Sequence, residues 1–505
     1  MRKKTFAIYK TTHRFLYIVF MMPCITFEVN SFAKENQKPN ILFVLTDDQA
    51  AFNTGISGNT QIHTPNIDML ARQGAYFPNS FVSTPVCSPS RASSMTGQYA
   101  SELGINDFIP SPGHKLYNQK ENPGLDPNSL TFPELLHQNG YKTGLIGKWH
   151  LGDWLNDSTK KYHPENHGFD YFMGLVKGGT TPVNPQLEKD GVVLQFEGLT
   201  TDILTEHALS FIKENAQKTF LLCLHYRAPH KKWLPVAEDD WKPYENINPA
   251  IPNPEYPDLD TERVKKDLKE YMASTSGVDR NLARIFKLLE ELNLDQKTIV
   301  IFTSDNGYNM GHNGITHKGN GRWVTLSDHP AQGNIEKNQR PNLYDNSLKV
   351  PAIIRWPGVI KPGTVIPQYM TNLDWYPTLA EIAGAKVPAN KIIRGRSLLP
   401  LLKGETSVNW ENDVYAEYSQ IHYSKAFMRT YRTPEWKLVR DFLNPGRDEL
   451  YHLSTDPEES ENLINSTNSE IKLMVEELNQ KILIKMKEVQ DPLLKQVNAL
   501  NKPEN

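Results

Sequence analysis

The chain has 505 residues, with 55 Lys and Arg against 58 Asp and Glu; the formal net charge of −3 excludes a bulk nucleic-acid binder. Hydrophobic residues make up 38%, charged residues 22% and aromatics 10%, and no residue type dominates, which excludes collagen, coiled coil and wholesale disorder. At roughly 100–200 residues per domain the length accommodates more than one domain around large cores.

The N-terminus is basic (Arg2, Lys3, Lys4, Lys10, Arg14), continues as an apolar run over residues 15–27 and ends in Ser31-Phe32-Ala33. The run is shorter than the ~20 apolar residues a bilayer span requires, so no stable membrane insertion is expected. The pattern predicts a signal peptide over residues 1–33, cut after Ala33, and an exported, periplasmic protein. A buried N-terminal strand and a lipid anchor at Cys24 are the other readings. Of the three cysteines, Cys24 leaves with the signal. Cys223 sits in the apolar FLLCL run and reads as core packing, whereas Cys87 lies in a polar, turn-rich segment. A disulfide between Cys87 and Cys223 is left open by the sequence.

Residues 40–46 (NILFVLT) form a continuous β-branched apolar run, as expected of a strand buried on both faces, and end in Asp47-Asp48. A helix is predicted from Thr64 as N-cap and Pro65 to Gly74, and another from the Thr131 capping box to Gly140. Strands follow at 142–146, 219–225, 298–303 and 351–355, interleaved with helical patterns at 202–216, 262–292 and 374–384. The alternation predicts an α/β fold, a large mainly parallel or mixed sheet sandwiched by helices, over residues 34–400. Residues 401–505 differ in pattern. Their short alternating strands at 414–418, 426–430 and 436–441, followed by a helix over 469–490, predict a smaller antiparallel α+β domain.

Ligands of open α/β sheets sit beyond the carboxyl ends of the strands. Two of those ends are acidic, Asp47-Asp48 and Ser304-Asp305-Asn306-Gly307, and their oxygens suit one hard cation such as Ca²⁺ or Mg²⁺; the bland reading of each pair is a turn or cap. Other ends are cationic: Lys148 and His150 after 142–146, His230 after 219–225, and Lys318 further on. Together they make a receptacle for a tetrahedral oxyanion, which points to sulfuryl or phosphoryl transfer. Cys87-Ser88-Pro89-Ser90-Arg91 opens a short helix, so Cys87 lies at the positive end of the helix dipole with Arg91 one turn along. Read from the residues alone, Cys87 is a low-pKa thiolate nucleophile or else a structural thiol.

Cys87-Ser88-Pro89-Ser90-Arg91 also resembles the C-x-P-x-R signature of the type I, formylglycine-dependent sulfatases of the alkaline-phosphatase-like superfamily. Residues 140–152 (GYKTGLIGKWHLG) resemble that family's second signature. The opening at 39–49, the Ser304–Gly307 stretch and the Glu449-Leu450-Tyr451-His452-Leu453 segment are similar as well, so the resemblance spans about residues 37–465 in the family's order. It implies that Cys87 is converted to formylglycine by a formylglycine-generating or anaerobic sulfatase-maturating enzyme. The hydrated aldehyde would attack sulfur, and the sulfated hemiacetal would expel sulfate as the carbonyl returns.

The same resemblance implies that Asp47, Asp48, Asp305 and Asn306, with residue 87, hold one Ca²⁺, and that Arg91 steadies the diol. Lys148 and Lys318 would grip sulfate oxygens, His150 take the proton that lets sulfate leave, and His230 assist the leaving alcohol. The family's second lysine commonly precedes a Tyr-Glu pair closely. Here Tyr344-Asp345 is separated from Lys318 by a long insertion, which leaves Arg340 as a competitor. The substrate expected is a sulfated carbohydrate, an algal polysaccharide or its oligosaccharides first and a glycosaminoglycan second, with Lys231, Lys232 and Trp233 as a sugar subsite or merely a solvated basic turn. A phosphatase, phosphodiesterase or phosphonate hydrolase is the rival enzyme, and a glycan-binding export protein the non-enzymatic rival.

Overall fold

A computed structural model describes residues 1, 3–12, 38–118, 120–121, 123–405 and 409–495. The expected apolar run and cleavage point of the signal peptide, with Cys24, lie outside them. The described residues from Lys38 onward form one compact unit.

This unit is built on a ten-stranded mixed sheet. Its strands in chain order are β1 (Asn40–Thr46), β2 (Ala75–Tyr76), β3 (Lys142–Lys148), β4 (Tyr171–Leu175), β5 (Gln186–Lys189), β6 (Val192–Gln195), β7 (Phe220–His225), β8 (Thr298–Ser304), β9 (Ala352–Arg355) and β10 (Thr364–Val365). Across the sheet they run β10-β2-β9-β8-β1-β7-β3-β4-β5-β6. The centre, β8 to β4, is parallel, with Thr46 beside Ser304 and Leu45 beside His225. The carboxyl ends of β1, β8, β7 and β3 therefore emerge at one edge.

Alternation along the central strands feeds two cores. Ile41, Phe43, Leu221, Cys223, Ile299 and Ile301 pack on one face, against α2 (Cys87–Thr96), α3 (Phe132–Gln138) and α6 (Trp375–Ile382). Leu42, Val44, Leu222, Leu224, Val300 and Phe302 pack on the other, against α1 (Pro65–Arg72), α4 (Thr200–Glu214) and α5 (Thr261–Glu291). This double burial is why the strands read as unbroken apolar runs. Thr64 does not cap α1 with its side chain; its hydroxyl accepts from the Gly55 N–H at 2.9 Å and is drawn to Asp68 instead. Thr131 does cap α3, accepting from the Glu134 N–H at 3.2 Å.

A second sheet of four antiparallel strands, β11 (Val414–Gln420), β12 (Ala426–Arg432), β13 (Trp436–Asp441) and β14 (Glu449–His452), follows in chain order. One face takes Leu478, Ile482 and Met486 of α7 (Ser469–Glu488), each such buried side chain contributing about 1.5–3 kcal/mol. The other face packs Val414, Ala416, Tyr418 and Met428 on Phe81, Val82 and Val86. Val86 precedes Cys87, so the second sheet buttresses the segment that delivers the candidate nucleophile. Cys223 is core in β7, and both described cysteines are free thiols.

Candidate active site

β1 and β8 end side by side and set down their acids together. Ligand oxygens of Asp47, Asp48 and Asp305 lie within 4.8 Å of one another, all buried. Asp48 takes a left-handed φ of 68°, held by its own N–H donating to Asp305 Oδ1 at 3.1 Å. The Asn306 amide nitrogen donates to Asp48 Oδ1 at 2.8 Å, which leaves Asn306 Oδ1 buried with no partner. A buried carbonyl oxygen left unsatisfied beside three carboxylates is the donor set a hard divalent cation takes.

α2 enters the same space from the side. Cys87 occupies its first position, buried, with Sγ 3.6 Å from Asp47 Oδ1, and Lys318 Nζ donates to Sγ at 2.7 Å. Arg91, one turn on, is fully buried; its Nε donates to Asp305 Oδ2 at 2.8 Å and its Nη1 to the Lys148 carbonyl at 2.8 Å, with Nη2 unpartnered. One guanidinium thus ties α2 to the ends of β8 and β3. Lys148 points back to Asp47 Oδ2 at 2.7 Å, and Lys318 pairs with Asp48. Three carboxylates face three cations.

Burial pushes the Asp47 carboxyl up, but Lys148, His230, Arg91 and Lys318 outweigh it and hold it well below the usual range. Asp305 goes the other way: burial, only partly offset by Arg91 and aided by Asp47, lifts it to about 6. For Cys87, burial outweighs Lys148 and Lys318 and pushes the thiol up to about 11. Burial and the neighbouring Asp47 and Asp305 thus outweigh the two lysines, against the low-pKa thiolate expected from the residues alone.

The histidines face the same space. His230 Nδ1 donates to the Lys231 carbonyl at 2.6 Å, leaving Nε2 3.8 Å from Asp48 Oδ2. His150, at φ 59°, donates from Nε2 to the Ile109 carbonyl at 2.9 Å, so its Nδ1 is a buried lone pair with no partner. Burial first, and then Lys148, drives its pKa well down, so the ring is neutral at ordinary pH. A Cβ on Gly178 would collide with His150 Nε2, so only glycine leaves room for the ring there.

Cys87, Asp48, His150, His230 and Lys318 line one cleft of about 600 Å³. Arg340 is not there. It lies half-buried against Glu449 and the Tyr344 hydroxyl, at 2.9 Å from the latter, and lines a different cavity, so the lysine before the insertion, not the arginine at its far end, reaches Cys87. Trp233 is 1% exposed against Tyr271 and Tyr308, which removes it as a sugar platform. Lys232 is exposed, while Lys231 lines the cleft, 3.5 Å from Asp267.

Several positioning groups carry no warning in the expectations above. Ser90 hydroxyl donates to the Asp305 carbonyl, Ser304 Oγ accepts from the Gln49 N–H at 2.9 Å, and Asn372 Nδ2 holds the Ser90 carbonyl at 3.0 Å. Ser90 and Ser304 lie inside the motifs already singled out; Asn372 carries no local signal.

The family profile "Sulfatase" matches residues 39–385, more than half of the chain. The chain belongs to the sulfatase family. A second profile, "N-sulphoglucosamine sulphohydrolase, C-terminal", matches residues 337–488, which takes in the second sheet and α7. The sulfatase is 30% identical over 470 residues to steryl-sulfatase of Homo sapiens, covering 83% of this chain and 77% of that one. It is 26% identical over 513 residues to N-acetylglucosamine-6-O-sulfatase of Bacteroides thetaiotaomicron, covering 85% and 83%. Among solved structures, a protein in complex with its substrate D-glucosamine-2-N,6-O-disulfate superposes with a TM-score of 0.75 at 24% identity, covering 90% of this chain and 99% of the other. That likeness confirms the large mixed α/β sheet and the smaller antiparallel sheet of an alkaline-phosphatase-like fold. The sulfatase is a sulfuric ester hydrolase, and its family is known for formylglycine and a divalent metal.

Proposed function

We propose that this sulfatase hydrolyses sulfate esters of a carbohydrate, with residue 87 matured to formylglycine and one Ca²⁺ held by Asp47, Asp48, Asp305 and Asn306. The observation that carries the reading is the placement of Cys87: at the first position of a buried helix, within 3.6 Å of Asp47 and 2.7 Å of Lys318, on the wall of a cleft. A thiol raised to about 11 is a poor nucleophile, and the same position suits an aldehyde. Formylglycine supplies a hydrated carbonyl that accepts sulfate and sheds it again without water attacking sulfur; the divalent ion supplies charge neutralisation at the transferring group.

The chain's own residues do the rest. Arg91 fixes the Asp305 carboxylate and the end of β3. Lys148 and Lys318, both buried, present ammonium groups to sulfate oxygens where low local polarity strengthens such contacts. His150 holds a free Nδ1 lone pair to take a proton, and His230, in its doubly protonated form, gives the Nε2 proton to a departing alcohol. The likeness to N-acetylglucosamine-6-O-sulfatase supports a sugar as that alcohol, and so do the charged side chains of Lys177, Lys231 and Arg322 in the lining of the cleft. Algal polysaccharide fragments and glycosaminoglycan fragments are the two sources of that chemistry. Export through the N-terminal segment, to the periplasm, and maturation by a formylglycine-forming enzyme belong to the same proposal.

The test is to express the chain with a maturating enzyme and measure sulfate release from algal and glycosaminoglycan oligosaccharides, alongside matched aryl sulfate and aryl phosphate. Sulfate release that is lost on chelation and restored by Ca²⁺, with a loss of ~18 Da at Cys87 from the elemental change, is expected. Faster release of phosphate, or activity with an unmodified thiol, overturns it.

A further inference from the structure

In the proposed function Lys148, Lys318 and two histidines serve the sulfate of one ester group, yet the lining of the cleft carries more positive charge. Lys177 and Arg322 line it, and neither has a carboxylate partner among the described residues. Arg322 lies four positions beyond Lys318 and pairs with Thr316 in a short two-stranded ladder, so the segment that brings one cation to Cys87 sets another at the rim. Its guanidinium is 5.5 Å from the ring centroid of Tyr423, which Lys115 also approaches at 5.2 Å.

Tyr423 comes from the β11–β12 turn of the second sheet, about a hundred positions away in sequence. Its φ of 62° is a left-handed conformation unfavourable to a tyrosine, and such geometry persists where the surroundings dictate it. Here the buried Asp107 dictates it: its Oδ2 accepts from the Ile421 and His422 N–H groups at 3.0 Å each, and its Oδ1 accepts from the Tyr418 hydroxyl at 3.1 Å. Phe108 stacks on Tyr423 with centroids 5.9 Å apart, and His114 meets the phenol at 3.2 Å. The turn is thus clamped against the cleft, with the Arg322 guanidinium over the Tyr423 ring and no carboxylate to pair with among the described residues.

We propose that Tyr423 and Arg322, with Lys177 of the same cleft, form a subsite that holds a sugar neighbouring the reacting one and a second anionic group on it, a sulfate or a carboxylate. The proposal rests on the carbohydrate-sulfatase reading and narrows it to a substrate carrying at least two anionic groups. Aromatic faces suit the apolar face of a sugar ring, and a guanidinium suits the bidentate geometry of sulfate or carboxylate.

The experiment compares kcat/KM of the matured enzyme for a monosulfated disaccharide and for the same disaccharide with a second sulfate on the adjoining ring. The wild type is expected to favour the doubly charged substrate by about tenfold at low salt, the size of one partly exposed charge-assisted contact, and by less as salt screens it. Arg322→Ala should bring that ratio close to one, chiefly through KM, and Arg322→Lys should recover part of it. A wild-type ratio near one, or a ratio untouched by Arg322→Ala, overturns the subsite. A binding arm separates the two readings: Cys87→Ala protein, titrated calorimetrically with the doubly sulfated disaccharide, should lose about tenfold in affinity when Arg322→Ala is added. That loss in a protein whose matured form releases no sulfate would sustain the subsite and sink the sulfatase reading; sulfate release with unchanged affinity and ratio would do the reverse.

Discussion

Two of the buried charge clusters among the described residues differ in one respect that separates scaffold from site. Behind the second sheet, Asp345 takes Arg432 and Lys437 at 2.9–3.1 Å, and Lys437 reaches on to Glu459, whose other oxygen accepts the Asp345 N–H. Two acids meet three cations, since Lys349 also stands 3.5 Å from Asp345, and none of their buried side-chain polar atoms is left without a partner among the described residues. At the edge of the large sheet, three acids likewise meet three cations, but Asn306 Oδ1, Arg91 Nη2 and His150 Nδ1 are buried and unpartnered. A closed cluster has nothing left to bind. An open one, facing a cleft, has been left incomplete for something that arrives.

Removing one member from each cluster puts that difference at risk most directly. Cys87→Ala should lower sulfate release by about 10⁴-fold or more, since the nucleophile is lost, while the melting temperature barely moves because no packed cluster is opened. A variant that unfolds instead would place Cys87 among the structural thiols.

Lys437→Met should do the opposite, destabilising by about 3–5 kcal/mol through the stranded Glu459 carboxylate, with kcat of the surviving folded protein near normal. Its penalty carries a pH signature. Burial, partly offset by Lys437 and aided by Asp345, raises Glu459 from 4.5 to about 7. The folded state therefore binds more protons than the unfolded chain between those values, and stability falls as pH rises through that window. Without Lys437 the Glu459 pKa climbs further, so urea midpoints of the variant should approach wild type near pH 5 and diverge near pH 8. A penalty independent of pH would take Glu459 out of the account.

Asp305→Asn tests the open cluster at its metal side. The amide keeps an acceptor for Arg91 but removes a charged ligand, so Ca²⁺ affinity by calorimetry should weaken by about 10²-fold and turnover should fall with it, recovering at high calcium. Undiminished calcium binding would strike Asp305 from the ligand set.

Much of this is legible in the sequence, for a physical reason. Central parallel strands are buried on both faces, so 40–46, 219–225 and 298–303 stand out as unbroken apolar runs, and the polar residues that end them mark the site edge. Cys87, Arg91 and Lys148 come with contiguous motifs. What stays hidden depends on distant pairing. Spacing cannot rank Lys318 against Arg340, because the ladder that turns Arg322 back beside Thr316 leaves no trace in it. Trp233 reads as an exposed platform because nothing local shows that Tyr271 and Tyr308 enclose it. Tyr423 and Arg322 have no motif at all: Asp107 fixes the turn that brings them together from some three hundred residues away. Thiol acidity is misread from the sequence because a helix dipole is a local feature, whereas desolvation belongs to the whole fold.

The smallest effect concerns a single unpartnered atom, and for that reason it discriminates most finely between the two clusters. His150 points Nε2–H at the Ile109 carbonyl, which fixes the tautomer and leaves Nδ1 as a lone pair in the open cluster. If that lone pair takes the proton that frees sulfate from residue 87, His150→Ala should slow the second half of the cycle by about 10²-fold and leave the first nearly intact. Rapid mixing with an activated aryl sulfate should then show a stoichiometric burst of phenol followed by slow turnover. The closed cluster offers no counterpart: substituting its members should change how much enzyme is folded, never the shape of a single-turnover trace. Equal slowing of burst and steady state in His150→Ala would mean that Nδ1 is idle, and that an orphaned atom in the open cluster is no guide to the proton's path.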